Sequence, residues 1–234
     1  MPEDIEWDEY HAAGERPFRL IRPSGTVPGV LWSPPVVGSP PPLVLLGPGS
    51  DQLKVPLARS FVARAGYSVL ALDGASADDA PSSADDARLS SDDGLDRLTA
   101  EWLAAVDAVV SLGLGSADRL AYWGLSAGAS LGLPLAAALG SRLRCAVLGK
   151  FGLRRSSGGG SERAAADAQR VTVPTLFHVQ WNDELFPAAG QLELFTLLGA
   201  AEKRLIGYPG GHDVTLPVAV AEWQSFIVHH LTTP

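Results

Sequence analysis

The sequence predicts an α/β protein: a mainly parallel sheet covered by helices on both faces. Three observations carry that reading. Short apolar runs alternate with segments of helical spacing along most of the chain. Runs such as Leu43-Val44-Leu45-Leu46 are apolar throughout, the pattern of a strand buried on both faces. The chain has 234 residues with 46% hydrophobic content, enough for one large core, so a single domain is expected over residues 17–234 behind a polar lead-in at 1–16.

The elements follow in order. Phe18-Arg19-Leu20-Ile21 and Val27 to Trp32 read as an antiparallel pair of early strands, and the Pro-rich stretch Ser33 to Pro42 as loop. Leu43 to Leu46 is a buried strand ending in Gly47-Pro48-Gly49-Ser50. Val55 to Ala65 is helical and Gly66 stops it. Tyr67 to Leu72 is the next strand. Residues 74–94, rich in Asp, Ser and Ala, read as a long surface loop or a partly mobile flap. Its paired aspartates Asp78-Asp79, Asp85-Asp86 and Asp92-Asp93 are read as solvated charge rather than a metal site. Leu95 to Leu112 is an amphipathic helix with Leu95, Leu98, Trp102, Ala105, Val106 and Val109 on one face. After the strand ending at Trp123 comes a helix that Pro134 should kink. Leu143 to Leu148, Val173 to Val179 and Lys203 to Tyr208 are strands. Arg154 to Ser161 is loop, and Pro187 to Leu198 and Leu216 to Leu231 are helices.

Composition excludes several classes of function. The net charge is −8 and no cluster of Lys and Arg forms a basic face, so no nucleic-acid partner is expected. No apolar run reaches the ~18–20 residues of a membrane helix, so no membrane partner is expected. The N-terminus is acidic with no apolar core, unlike a signal peptide, and a cytoplasmic location follows. The excess of Arg over Lys and the abundance of Ala, Gly and Leu point to a bacterial source. The lone cysteine, Cys145, lies in an apolar run and reads as a small buried hydrophobe. A homodimer is the default expectation for oligomeric state.

The chemistry is concentrated in Gly124-Leu125-Ser126-Ala127-Gly128. These residues spell Gly-x-Ser-x-Gly, with an apolar strand before them and a small, apolar helix start after them. Strand, sharp turn and helix are the setting of a nucleophile elbow, which lifts a serine hydroxyl above the end of a sheet. A serine needs a base, and the base an orienting acid. The remaining pieces stand after two later strands: Asp183 in Gln180-Trp181-Asn182-Asp183-Glu184-Leu185-Phe186-Pro187, and His212 in Pro209-Gly210-Gly211-His212-Asp213. Glu184 and Asp213 are rivals for the acid. Carboxyl ends of strands are where open α/β sheets place ligands.

With these three motifs in this order, the chain resembles the α/β-hydrolase superfamily, and within it the small dienelactone-hydrolase-like serine esterases. Asp183 to Pro187 is similar to the acid motif Asp-x-x-Val-Pro, and Gly210-Gly211-His212 to the histidine loop. The resemblance spans about residues 18–231 and departs from true dienelactone hydrolases in having serine where they have cysteine. It implies a cofactor-free serine hydrolase that cleaves a small-molecule carboxylic ester or lactone. Ser126 is then the nucleophile, His212 the base and Asp183 the acid, preferred because it stands four residues before Pro187. The oxyanion hole is expected from the backbone N–H groups of Ala127 and Ser50, the latter in a Pro-Gly-x turn similar to that of bacterial cutinase-like polyester hydrolases. Gly49, Leu125, Phe151, Trp181 and Phe186 are candidate substrate-binding residues, although the apolar ones would serve equally as core.

About twenty residues separate the strand ending near Gly149-Lys150 from the next, too few for a helical cap domain, so an open site is expected. No metal is expected, since no histidines stand at ligand spacing. His178 reads as a packed strand residue, His229 and His230 as cations suited to a helix end, and His11 as part of the lead-in. Acyl transfer, thioester cleavage, carbon–carbon bond hydrolysis and a non-catalytic binding role on the same fold remain the alternatives.

Overall fold

The structure, a computed structural model, describes residues 4–8, 14–35, 38–72, 89, 91–154 and 162–232. Among the described residues nine strands form one sheet: β1 (Asp4–Trp7), β2 (Glu15–Arg22), β3 (Gly25–Trp32), β4 (Leu43–Leu46), β5 (Ser68–Leu72), β6 (Leu120–Leu125), β7 (Leu143–Gly149), β8 (Thr175–Gln180) and β9 (Lys203–Tyr208). Their spatial order is β1-β2-β3-β5-β4-β6-β7-β8-β9. The pairs from β5 through to β9 are parallel, while β1, β2 and β3 join antiparallel. The helices are α1 (Asp51–Ser60), α2 (Asp92–Ser111), α3 (Ala127–Leu139), α4 (Glu162–Arg170), α5 (Ala188–Leu197) and α6 (Pro217–Thr232).

Side chains on successive strand residues point to opposite faces, and here both faces are covered. Leu43, Leu45, Leu120 and Tyr122 enter one core with Trp102, Val106 and Val109 of α2, Leu131 and Leu135 of α3, and Leu194 of α5. Val44, Leu46, Ala121 and Trp123 enter the other with Leu57 of α1 and Trp223 and Ile227 of α6. This explains why the central strands read as unbroken apolar runs. Cys145 is free and fully buried in the second core, and burial pushes its thiol pKa up.

The order β5-β4-β6 makes β4 the place where the chain reverses its direction of travel across the sheet. Such a switch point opens a crevice at the carboxyl ends of the two adjacent strands. In this protein β4 ends at Leu46, paired with Trp123 of β6, so the turn Gly47–Ser50 and the elbow at Ser126 flank one crevice.

Several elements differ from the sequence reading. Asp4–Trp7, within the expected lead-in, forms an edge strand: Ile5 and Trp7 pack against the core while β1 pairs along β2. After Ser60, α1 widens into a π-helical turn, Phe61–Ala65, before Gly66 ends it at φ 67°. Residues 92–94 of the loop expected over 74–94 are helical, with Ser91 capping α2 through Gly94 and Asp92 and Asp93 in its first turn; Asp78-Asp79 and Asp85-Asp86 lie outside the described residues. Helix α3 runs on to Leu139 with Pro134 inside it. The segment between β7 and β8 holds the nine-residue helix α4, where the sequence pattern marks none. Most of the expected loop at 154–161 lies outside the described residues. No described helix is long and apolar enough to cross a membrane.

Candidate active site

Three loops at the carboxyl end of the sheet meet. The first is the turn after β6. Ser126 sits there at φ 55° and ψ −116°, a left-handed conformation for a residue with a side chain. Such backbone strain costs of order 1–3 kcal/mol and persists only where the surroundings impose it. They do so here. The Ser126 N–H donates to the Gly149 carbonyl at 2.9 Å, and the Ser126 carbonyl accepts from Ala129 and Ser130 as α3 begins. The glycines have a steric reason. A Cβ on Gly124 would stand 2.6 Å from the Gly128 carbonyl oxygen, and one on Gly128 would stand 2.8 Å from the Pro48 carbonyl oxygen. The buried Tyr122 hydroxyl donates to the Gly128 carbonyl at 2.6 Å, tying the strand to the helix start beneath the elbow.

The second loop follows β8. Asp183 is buried, its side chain fully so. Its Oδ1 accepts the N–H groups of Leu185 at 2.9 Å and Phe186 at 2.8 Å, a turn that leads into α5. The buried Gln191, one turn into α5, donates to the Phe186 carbonyl at 2.6 Å and to the Gln180 carbonyl at 3.2 Å. It also accepts from the Gln180 N–H at 3.1 Å and reaches Asp183 Oδ2 at 3.4 Å.

The third loop follows β9 and carries His212. Its Nδ1 lies 2.8 Å from Asp183 Oδ2 and its Nε2 lies 2.8 Å from Ser126 Oγ. The tautomer that satisfies both contacts donates from Nδ1–H to the carboxylate and accepts the serine hydroxyl at Nε2. Of the three acids considered from sequence, Asp183 is the one that meets the ring. Its neighbour Glu184 turns the other way and accepts the backbone N–H of His212 at 2.9 Å, a bond that holds its carboxyl below the usual carboxylate range. Asn182 and Gly210 exchange two further bonds between the same loops, at 3.1 and 3.2 Å.

Ala127 is the first residue of α3 and Ser50 is the N-cap of α1, positions whose backbone N–H groups have no acceptor within their own helix. The close approach of Gly128 to Pro48 brings these two helix starts together across the crevice. Gly49 is exposed in the same turn. Leu125 is buried at the end of β6. Phe151 and Phe186 are buried with ring centroids 5.0 Å apart, and Phe186 stands 5.9 Å from the His212 ring. Trp181 is 46% exposed and rests its ring on Gly207 of the edge strand β9.

One residue with no signal in the sequence stands out: Lys150, directly after β7. It is buried, and its Nζ donates to the carbonyls of His212 at 3.0 Å and Val214 at 2.7 Å and to the Thr215 hydroxyl at 3.1 Å. Burial lowers its pKa, against the opposing pull of Asp183 and Asp213. His178 is a packed strand residue, bonded to Gln180 at 2.9 Å and flanked by Tyr208 and Trp223. His230 contacts Glu202 at 3.4 Å. Among the described residues no group of three His, Cys, Asp or Glu side chains converges to hold a metal ion.

No protein-family model and no curated protein sequence matches the chain. Solved structures do. A cold-adapted esterase from an Arctic intertidal metagenomic library, in its zinc-bound structure, superposes with a TM-score of 0.80 at 32% identity, over 97% of this chain and 100% of that one. An acetyl xylan esterase from Paenibacillus sp. R4 has a TM-score of 0.73 at 17% identity, over 98% of this chain and 90% of that one. Acetyl xylan esterase 1 from Thermoanaerobacterium sp. JW/SL YS485 has a TM-score of 0.74 at 18% identity, over 100% of this chain and 89% of that one. The last two share the fold; the first, at its identity and coverage, shares the family.

Proposed function

Because the chain belongs to the α/β-hydrolase superfamily, we propose that it is a cofactor-free serine hydrolase that cleaves a carboxylic ester or lactone through an acyl-enzyme. The observation that carries this reading is the unbroken line from Ser126 through His212 to Asp183, with both bonds at 2.8 Å. The esterase names of the similar structures agree with an ester as the bond cleaved.

In the first half-reaction Ser126 Oγ attacks the substrate carbonyl carbon while its proton passes to His212 Nε2. The carbonyl π electrons move to oxygen, and that oxyanion is met by the N–H groups of Ala127 and Ser50. Both belong to helix starts, where the partial positive charge favours an anion. Collapse of the tetrahedral intermediate breaks the bond to the alcohol oxygen, which leaves with the proton from His212. In the second half, water gives a proton to His212 and attacks the acyl carbon. The acid leaves and Ser126 regains its proton. Asp183 holds the imidazole in the required tautomer and stabilises the imidazolium formed in each half. Phe186, beside the His212 ring, and Phe151, packed on it, offer the acyl or alcohol part an apolar wall, with Leu125, Gly49 and Trp181 as further candidate contacts.

Intact-mass spectrometry after incubation with a fluorophosphonate tests the reading. A single adduct on the wild type that is absent from Ser126→Ala is expected, with turnover of a p-nitrophenyl ester lowered on the order of 10³-fold or more in the variant. A folded wild type that takes no adduct and cleaves no ester overturns it.

A further inference from the structure

Gly149-Lys150, at the end of β7, touches both partners of the proton transfer. The Gly149 carbonyl accepts the Ser126 N–H at 2.9 Å. The Lys150 ammonium donates to the His212 carbonyl at 3.0 Å. The dipeptide adopts left-handed backbone at both positions, φ 150° at Gly149 and φ 47° at Lys150. The Lys150 N–H then donates to the His178 carbonyl at 2.9 Å, which holds this turn against β8. Gly149 lies so close to the His178 backbone that a Cβ there would collide with it. The turn is therefore fixed on the sheet, and the side chain it projects starts from a rigid base.

The surroundings of Lys150 Nζ match an ammonium. It has three N–H groups, and three oxygens accept them: the carbonyls of His212 and Val214 and the Thr215 hydroxyl. None is a carboxylate, so among the described residues no direct ion pair offsets the cost of placing a charge where only 4% of the residue remains exposed. An apolar side chain of the same length would avoid that cost but take the donor from all three oxygens. What the charge does instead is gather three acceptors from residues 212–215, which belong to no helix or strand. On the other side of the same residue, Glu184 takes the His212 N–H at 2.9 Å. An anion thus holds the N–H of His212 and a cation its C=O.

We propose that Gly149-Lys150 is a brace that sets the spacing between nucleophile and base, with Lys150 a positioning residue for His212. The inference rests on the Ser126–His212–Asp183 reading above. Lys150 touches no reacting atom; it acts through the main chain of the base. Without it the His212 main chain keeps the Glu184 bond at its N–H but loses the one at its carbonyl, and the ring moves relative to Ser126. A misplacement of about 1 Å in such a line costs on the order of 10²-fold in rate.

The test compares wild type, Ser126→Ala, Lys150→Met, Lys150→Ala and Thr215→Val, using p-nitrophenyl acetate and a fluorophosphonate. Lys150→Met is expected to lower kcat about 10- to 100-fold while KM stays within about threefold, with the rate of phosphonylation falling in parallel. Methylammonium should restore part of the kcat of Lys150→Ala, whereas tetramethylammonium, which has no N–H to donate, should not. Thr215→Val removes one of the three acceptors and should lower kcat by about twofold or more without raising KM; it carries the test if the lysine variants do not fold. Wild-type kcat and phosphonylation rate in folded Lys150→Met, equal rescue by both cations, or unchanged kcat in Thr215→Val when the lysine variants do not fold overturns the brace while the triad reading stands. A wild type that is neither labelled nor active overturns both.

Discussion

The carboxylate of Glu184 accepts the backbone N–H of His212 at 2.9 Å, while the carboxylate of Asp183, one residue earlier, takes the His212 ring at 2.8 Å. Two adjacent acids thus hold one histidine in different ways. Asp183 is enclosed and saturated by the N–H groups of Leu185 and Phe186, so its orientation is imposed by the turn. Glu184 is exposed and reaches across to the neighbouring loop. The two substitutions should therefore separate. Asp183→Asn presents an amide to Nδ1 and favours the wrong tautomer, with a loss of about 10⁴-fold in kcat. Glu184→Gln keeps an oxygen for the same N–H, and a loss of less than about tenfold is expected. Steady-state kinetics on one ester decides it, and a larger loss in Glu184→Gln than in Asp183→Asn would exchange the assignments.

Gln191 is the buried residue that keeps the acid loop closed. It exchanges two bonds with the main chain of Gln180, where β8 ends, and caps the Phe186 carbonyl at 2.6 Å. Leucine at this position would take the Gln191 partner from the Gln180 N–H and from the Phe186 carbonyl. Each such loss at a buried group costs about 1–3 kcal/mol. Gln191→Leu is expected to lower the unfolding free energy by about 2–5 kcal/mol in a urea titration. It should also lower kcat at temperatures where the variant is still folded, because the loop it secures carries Asp183.

Gly128 offers a probe of the oxyanion turn that leaves every polar group in place. A methyl group there would press on the Pro48 carbonyl from 2.8 Å, within the turn that carries Ser50. The turn must move away from the start of α3, and the two N–H donors would separate. Losing one donor of an oxyanion hole costs about 10²- to 10³-fold in kcat. Gly128→Ala should approach the lower figure with little change in KM, since the ground-state carbonyl binds these donors more weakly than the oxyanion does. Unaltered kcat would mean that Ser50 is not a donor.

How far such features can be read without coordinates depends on the range over which their cause acts. The elbow is local: Gly124 and Gly128 approach each other around Ser126 within a single turn, and the residue types betray it. The apolar runs of β4 and β6 are local too, because burial on both faces acts on each residue in turn. Edge strand β1 also had a local signal, the alternation Asp4-Ile5-Glu6-Trp7, too short to outweigh its polar neighbours. Lys150 had none. A lysine after a strand looks like any solvated lysine, and the oxygens that hold it stand 62 to 65 residues further on. Glu184 was visible only as a rival acid, since its partner lies across two loops. The helix α4 was obscured by composition: an Ala-rich segment buries Ala164 and Ala168 on one face, and its buried Asp167 is held by Arg163 at 2.6 Å and Arg170 at 3.2 Å.

His178 makes the fold sensitive to acid apart from any effect on catalysis. Its ring is fully enclosed between Tyr208 and Trp223, with one bond to Gln180. Burial pushes its pKa from 6.5 down to about 4, more strongly than the Gln180 bond raises it. The sign follows from which state holds the proton. Between about pH 6.5 and pH 4 the unfolded chain is protonated at this residue and the native one is not, so unfolding takes up a proton. Stability is therefore complete above that window and falls as the pH drops through it, by at most about 3 kcal/mol. His178→Phe removes the titrating group. On going from pH 7 to pH 5, wild type should lose about 2 kcal/mol more than His178→Phe in urea-unfolding free energy. The same loss in both proteins would mean that His178 takes its proton without unfolding.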